Sequence, residues 1–182
     1  MNILITGCTG QLGRSFRRAF LNLDHNCFFT SFPEGEGADT LDITDADAVM
    51  SHVRGNDIDI IINCSAYTDV EKAEEDEDAA FAVNASAVAN LASVAQATGT
   101  LLIHFSTDYV FDGKACRPYP EDAPTAPANV YGRSKLAGEQ AIVSSGCRYM
   151  IFRTAWLYSA YGKNFVKTMA GLTSRLPEVK VV

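Results

Sequence analysis

Three nearly unbroken apolar runs punctuate the chain, at residues 3–6, 58–62 and 101–105, the pattern of central parallel strands covered on both faces. Between them the apolar positions take a helical period. Leu12, Phe16, Ala19, Phe20 and Leu23 mark one face, and Val83, Ala87, Leu91, Val94 and Ala95 mark another. Shorter runs at 27–30 and 149–153 predict two further strands, and helices are expected near 45–54, 130–144 and 164–174. Strand and helix alternate regularly, which predicts an α/β fold: a doubly wound parallel sheet with right-handed crossovers. Two stretches break the alternation. Residues 31–40 hold Pro33, Gly35 and Gly37, and residues 112–129 hold Pro118, Pro120, Pro124 and Pro127, so both predict loops, the second long enough to be functional. Residues 69–78 carry seven carboxylates and one lysine, which reads as a solvated helix start favoured by the helix dipole and gives no metal site.

Length and composition narrow the picture. A chain of 182 residues fits one domain, against about 100–200 residues per domain in general, so residues 1–182 are expected to form a single dinucleotide-binding unit. A hydrophobic share of 47% with 20% charged excludes a disordered or low-complexity chain. The net charge of −7 argues against nucleic acid or an anionic membrane as partner, so any anionic ligand must be held locally. Cys8, Cys27, Cys64, Cys116 and Cys147 are odd in number and lack a C-x-x-C. That pattern suggests neither a disulfide framework nor zinc, and it fits a reducing cytoplasm. No apolar run approaches the ~18 residues of a membrane span. Met1 leads into the first strand without a basic leader, so the expectation is a cytoplasmic protein. Residues 177–182 alternate polar and apolar like a strand just begun, and the chain is expected to stop before a substrate-covering lobe.

The candidate chemistry begins at Gly7-Cys-Thr-Gly10-Gln-Leu-Gly13, directly after the first strand and at the start of the first helix. In that setting a glycine-rich turn points to a dinucleotide. Gly7 permits the tight turn, Gly10 lets the backbone approach a pyrophosphate, and Gly13 allows close helix packing, while the helix N-terminus offers N–H donors. A second group is Tyr131 and Lys135, four apart and so on one helix face. Spacing alone is poor evidence, but Thr107 lies just beyond the run at 101–105, where open α/β sheets place their ligands. The trio suits carbonyl reduction, in which hydride addition creates an alkoxide that must be protonated as it forms. Tyr131 would be the acid, Lys135 the ammonium that lowers its pKa and reaches the cofactor ribose, and Thr107 the hydroxyl that fixes the carbonyl oxygen. The end of the second strand reads Thr30-Ser31 with no carboxylate to repel a 2′-phosphate, and Arg14 and Arg18 lie nearby. The expected cofactor is therefore NADPH, with NADH accepted.

These residues, together with Asn63-Cys-Ser-Ala-Tyr-Thr-Asp-Val-Glu-Lys-Ala-Glu74, Phe105-Ser-Thr-Asp-Tyr-Val-Phe-Asp-Gly113 and Arg153-Thr-Ala-Trp-Leu-Tyr158, resemble the extended short-chain dehydrogenase/reductases along the whole chain. The resemblance implies a Rossmann-like fold. It further implies NAD(P)H-dependent reduction of the 4-keto group of dTDP-4-dehydrorhamnose to dTDP-rhamnose, a step of nucleotide-sugar biosynthesis. Thr107, Tyr131 and Lys135 occupy that family's catalytic positions. By the same resemblance Gly10, Gln11 and Leu12 meet the pyrophosphate, Asp42 and Ile43 lie near adenine, and Ser65, Ala66 and Tyr67 flank the cofactor. Val70, Tyr109 and Trp156 are implied as substrate neighbours, although a lone Trp is equally a large core residue. Glu71 stands where an Asp is usual. Ser15 stands where some relatives carry a metal-linked Glu at a dimer contact, so a homodimer is expected without that metal link. Two other functions share the pattern: a dinucleotide-binding regulatory subunit resembling that of methionine adenosyltransferase, and another nucleotide-sugar reductase or epimerase.

Overall fold

The computed structural model describes residues 1–180. Six strands form one sheet: β1 (Asn2–Thr6), β2 (Asn26–Ser31), β3 (Asp39–Thr40), β4 (Ile60–Asn63), β5 (Leu101–Thr107) and β6 (Arg148–Thr154). Their order is β3-β2-β1-β4-β5-β6, and every neighbouring pair is parallel. This is the doubly wound, Rossmann-like arrangement, with the order reversing beside β1.

Alternation along the strands builds two apolar layers. Leu4, Ile61 and Leu102 join Val49, Val53, Val88, Leu91 and Ile142 from α2 (Ala46–Gly55), α5 (Ala87–Thr98) and α6 (Val130–Ser145). Ile3, Ile5 and Ile62 face the other way, against Phe16 and Phe20 of α1 (Gln11–Phe20). The helix ends at Phe20, so Ala19 is exposed and Leu23 lies beyond the helix in solvent, off the face that the periodicity assigned to them. On β6, Tyr149, Met150 and Phe152 remain exposed.

Other expectations are corrected. The stretch 31–40 is not all loop: β3 lies within it, held by pairing Thr30 with Asp39 and Ser31 with Thr40. The acidic block forms two short helices, α3 (Val70–Glu75) and α4 (Glu77–Phe81), because Asp69 and Asp76 each accept the N–H three residues on. A π-helical turn at Ala82–Ser86 precedes α5, where the periodicity reads one continuous helix. The last helix, α7 (Phe165–Thr173), is capped by Asn164 and buries no residue. Residues 177–180 form no strand, and the rest of the strand expected there, 181–182, lies outside the described residues.

Candidate active site

At the carboxyl end of the sheet a cleft of about 470 Å³ opens between the first turn, β4, β5 and the segment after β6. The first turn forms its floor. Gly7 adopts a positive φ of 61°, and a Cβ there would come within 2.7 Å of the Ser65 nitrogen. A Cβ on Gly13 would overlap the Cys8 Cα and the Gly7 carbonyl. Neither glycine lines the cleft; both let the turn close against β4 and against itself. Gly10, Gln11 and Leu12 do line it. Gly10 caps α1 with no side-chain acceptor, so the first N–H groups of the helix are left without a capping oxygen, as an anion seat requires. Gln11 contributes by its backbone, since its amide donates to the Leu157 carbonyl and accepts from Asn164.

Thr107 ends β5, in register with Thr154, and its hydroxyl accepts from the Tyr109 N–H at 3.2 Å. Tyr131 and Lys135 come from α6, whose start is fixed twice. Asn129 accepts from Gly132, and the Val130 N–H donates to Glu74 of α3 at 2.7 Å. The ring of Tyr109 meets Tyr131 edge-on at 5.6 Å. Thr107, Tyr131 and Lys135 therefore line one cleft.

The electrostatics differ from the expectation. Burial pushes the Tyr131 phenol up, the nearby Thr107 hydroxyl pulls it down, and Asp108 and Tyr109 add to the rise. Lys135 does not lower it, because its Nζ points into the sheet and donates to the Phe105 carbonyl at 2.6 Å. Burial brings Lys135 itself down to about 8, opposed by the charge of Glu139. Glu139 is held by a bidentate pair with Arg153, at 2.7 and 3.0 Å. Burial raises the Cys64 thiol to about 12, which keeps it an uncharged part of the wall.

The family model described as "RmlD substrate binding domain" matches residues 1–182. The chain belongs to this family. Over 182 residues it is 40% identical to the dTDP-4-dehydrorhamnose reductases of Burkholderia thailandensis and Escherichia coli, with all of this chain and 59% and 60% of those proteins covered. Among solved structures, the dTDP-4-dehydrorhamnose reductase of Clostridium acetobutylicum superposes with a TM-score of 0.93 at 41% identity, over 100% of this chain and 62% of that one. That of Bacillus anthracis, in complex with NADP, gives 0.89 at 39% identity over 98% and 61%. The chain thus spans about 60% of the length of the curated relatives it matches.

In this RmlD-family chain the other expected positions divide. Ser65, Ala66, Val70, Tyr109 and Trp156 line the cleft with the trio. Trp156 is no core residue: it is 71% exposed and packs edge-on against Phe165 at 4.9 Å. Tyr67, Asp42 and Ile43 lie off the cleft. Tyr67 packs with Ala73, Ala80 and Val130, the Ile43 side chain sits in the main core, and the Asp42 carboxylate binds Thr44. Cleft residues to which the sequence assigned no role include Asn63 and Ser106, both inside quoted motifs, and Lys163. Asn63, and His104 behind it, carry a legible signal, since each is a polar residue in an apolar strand run.

Asn84, in the π turn, binds the Tyr67 N–H and carbonyl and donates to Ser134 of α6 at 3.0 Å. Asn84→Ala strands three polar partners, and at 1–3 kcal/mol for a buried group left unpaired the expected loss is about 3 kcal/mol. A calorimetric scan should show Tm falling by roughly 6–12 °C.

Proposed function

We propose that this chain carries the catalytic cleft of an NADPH-dependent reductase acting on the 4-keto group of dTDP-4-dehydrorhamnose and forming dTDP-rhamnose. The observation that carries the reading is the convergence of Thr107, Tyr131 and Lys135 on the cleft floored by the glycine turn. The cleft suits the cofactor: the α1 N-terminus offers free N–H groups to a pyrophosphate, and Ser106, whose buried hydroxyl has no partner, is among the residues that line it. When bound, NADPH supplies the hydride. Thr107 holds the keto oxygen, and Tyr131 gives its phenolic proton to that oxygen as negative charge develops. The raised phenol pKa keeps Tyr131 protonated, and so competent as an acid, at neutral pH. Lys135 lies behind it as the proton reservoir.

Free thiols at all five cysteines support the reading of a cytoplasmic enzyme. Among the described residues no helix is long and apolar enough to cross a membrane. The homodimer belongs to the same reading and is measured by sedimentation.

NADPH is favoured by a hollow of about 690 Å³ lined by Arg14, Arg17 and Arg18. Arg17 lies over Phe29 of β2 and donates to the Glu36 carbonyl, which adds to the reading a third guanidinium beyond Arg14 and Arg18. Calorimetry at fixed salt should show NADPH binding tighter than NADH. The double variant Arg14→Ala/Arg18→Ala should lose that preference by about tenfold, or ~1.4 kcal/mol; tighter binding of NADH by the unaltered chain contradicts the assignment. The function itself is tested by a panel of nucleotide keto-sugars followed at the nicotinamide absorbance. Oxidation of NADPH driven by dTDP-4-dehydrorhamnose is expected. In a form extended to the length of the relatives, binding of NADPH without oxidation on any sugar would instead identify a regulatory binding protein.

A further inference from the structure

A chain of buried polar groups runs under the cleft. Thr6 donates its hydroxyl to the Asn63 Oδ1 at 2.7 Å, and the Ser65 backbone N–H donates to the same oxygen at 3.1 Å. A backbone N–H cannot accept, so the Asn63 amide has one orientation, and its Nδ2 faces His104. Asn63 Nδ2 lies 3.1 Å from His104 Nδ1, and His104 Nε2 lies 3.3 Å from Lys135 Nζ. Since Nδ2 can only donate, Nδ1 must accept, and a neutral imidazole then carries its hydrogen on Nε2. That N–H points at Lys135. An ammonium has three donors and no acceptor, so it would meet the imidazole donor to donor.

We propose that His104 is a positioning residue that lowers the proton affinity of Lys135: held by Asn63 as the Nε2–H tautomer, it favours the neutral amine over the ammonium. The amine then satisfies every contact. Its lone pair accepts from His104, one N–H goes to the Phe105 carbonyl, and one is left for the cleft. Both side chains are fully or almost fully buried. Burial drives His104 well below its usual range, with the Lys135 charge adding to this, so an imidazolium is excluded. The other charged or titratable groups are Glu139 of α6, engaged by Arg153 of β6, and Cys64, Asp108, Tyr109, Tyr131 and Lys163 along the cleft wall. Glu139 alone favours the ammonium.

The role, though not the tautomer, rests on the reductase reading. After the Tyr131 O–H bond breaks and its proton joins the substrate alkoxide, the phenolate is reprotonated through water in the cleft, and the Lys135 ammonium replaces the proton that this water gives up. An N–H bond of Lys135 breaks, an O–H bond forms on Tyr131, and the amine left behind is the form His104 favours. A proton taken up from bulk solvent then restores the ammonium. His104 thereby makes Lys135 a readier proton donor.

The test is nitrogen NMR on the isotope-labelled unaltered chain, which reads the His104 tautomer from long-range proton–nitrogen couplings. The Nε2–H form is expected; Nδ1–H overturns the proposal. A second arm titrates Lys135, its signal identified by loss in Lys135→Met. His104→Leu removes the donor to the amine, so the Lys135 midpoint should rise by about one unit, a tenfold change. A fall or no change overturns the proposal, since an imidazole that accepted from an ammonium would shift it the other way. If His104→Leu does not fold, the tautomer measurement decides alone. In an active form, the pH profile of turnover should move upward with the Lys135 midpoint. The expected tautomer and midpoint shift, with no turnover on any sugar by a form extended to the relatives' length, would leave this assignment standing and defeat the reductase reading.

Discussion

Tyr131→Phe should lower turnover on dTDP-4-dehydrorhamnose by about a hundred- to ten-thousand-fold, the range that a positioned general acid contributes, while NADPH affinity changes little. The substitution removes one hydroxyl and keeps the ring that meets Tyr109 edge-on and packs beside Ala73, Ala80 and Val130. Fold and cleft shape should therefore survive, as a near-unchanged melting temperature would show. The glycine turn and the α1 N-terminus, the seat assigned to the pyrophosphate, belong to other elements. An effect confined to turnover is the signature of a group acting in the transition state. Equal losses in turnover and in calorimetric NADPH affinity would place Tyr131 in binding instead.

Gly13→Ala should damage both the folded state and the cofactor seat. The new methyl would overlap the Cys8 Cα and the Gly7 carbonyl, backbone atoms that cannot swing aside as a flexible side chain can. Cys8 is itself fully buried, in the layer formed by Ile3, Ile5 and Ile62, so relief requires α1 to lift from the sheet. Overpacking of this kind costs about 1–3 kcal/mol or more, and Tm should fall by roughly 2–12 °C. Lifting α1 also displaces its free N–H groups, so NADPH binding should weaken in the same variant. Full stability with intact binding would contradict the tight closure assigned to Gly13.

The parts of the fold legible in the sequence are those where a local pattern and a tertiary environment coincide. Strands β1 and β4 are buried on both faces, and β5 is buried on one and half-buried on the other, so their apolar runs stand out whatever surrounds them. β3 has no such mark: Asp39 and Thr40 are polar and exposed, and only pairing with Thr30 and Ser31 makes them a strand. The π turn is hidden for a related reason. Ala82–Ser86 reads as ordinary helix, and its function as a tie from Asn84 to Tyr67 and Ser134 arises from residues far away in sequence.

The site divides along the same line. Thr107, Tyr131 and Lys135 are legible because strand-end position and helical spacing are local properties, and their convergence follows from the topology. The state of Lys135 is not local. It depends on His104 and on the depth of burial, so spacing alone casts the lysine as an ammonium acting on Tyr131, whereas the structure turns it toward the Phe105 carbonyl. Ile43 and Tyr67, implied by resemblance to lie near the cofactor, carry side chains that pack in the core, so only their backbone is left to face a ligand.

The central claim is that this cleft directs hydride to the sugar C4 carbon. The most direct measurement supplies NADPH dideuterated at the nicotinamide C4 together with dTDP-4-dehydrorhamnose and locates the label by mass spectrometry and proton NMR. The account predicts dTDP-rhamnose with a single deuterium, at C4 of the sugar, formed with one equivalent of oxidised cofactor. Cofactor that stays bound and fully deuterated beside unreduced keto-sugar, or product that carries no deuterium, would contradict it.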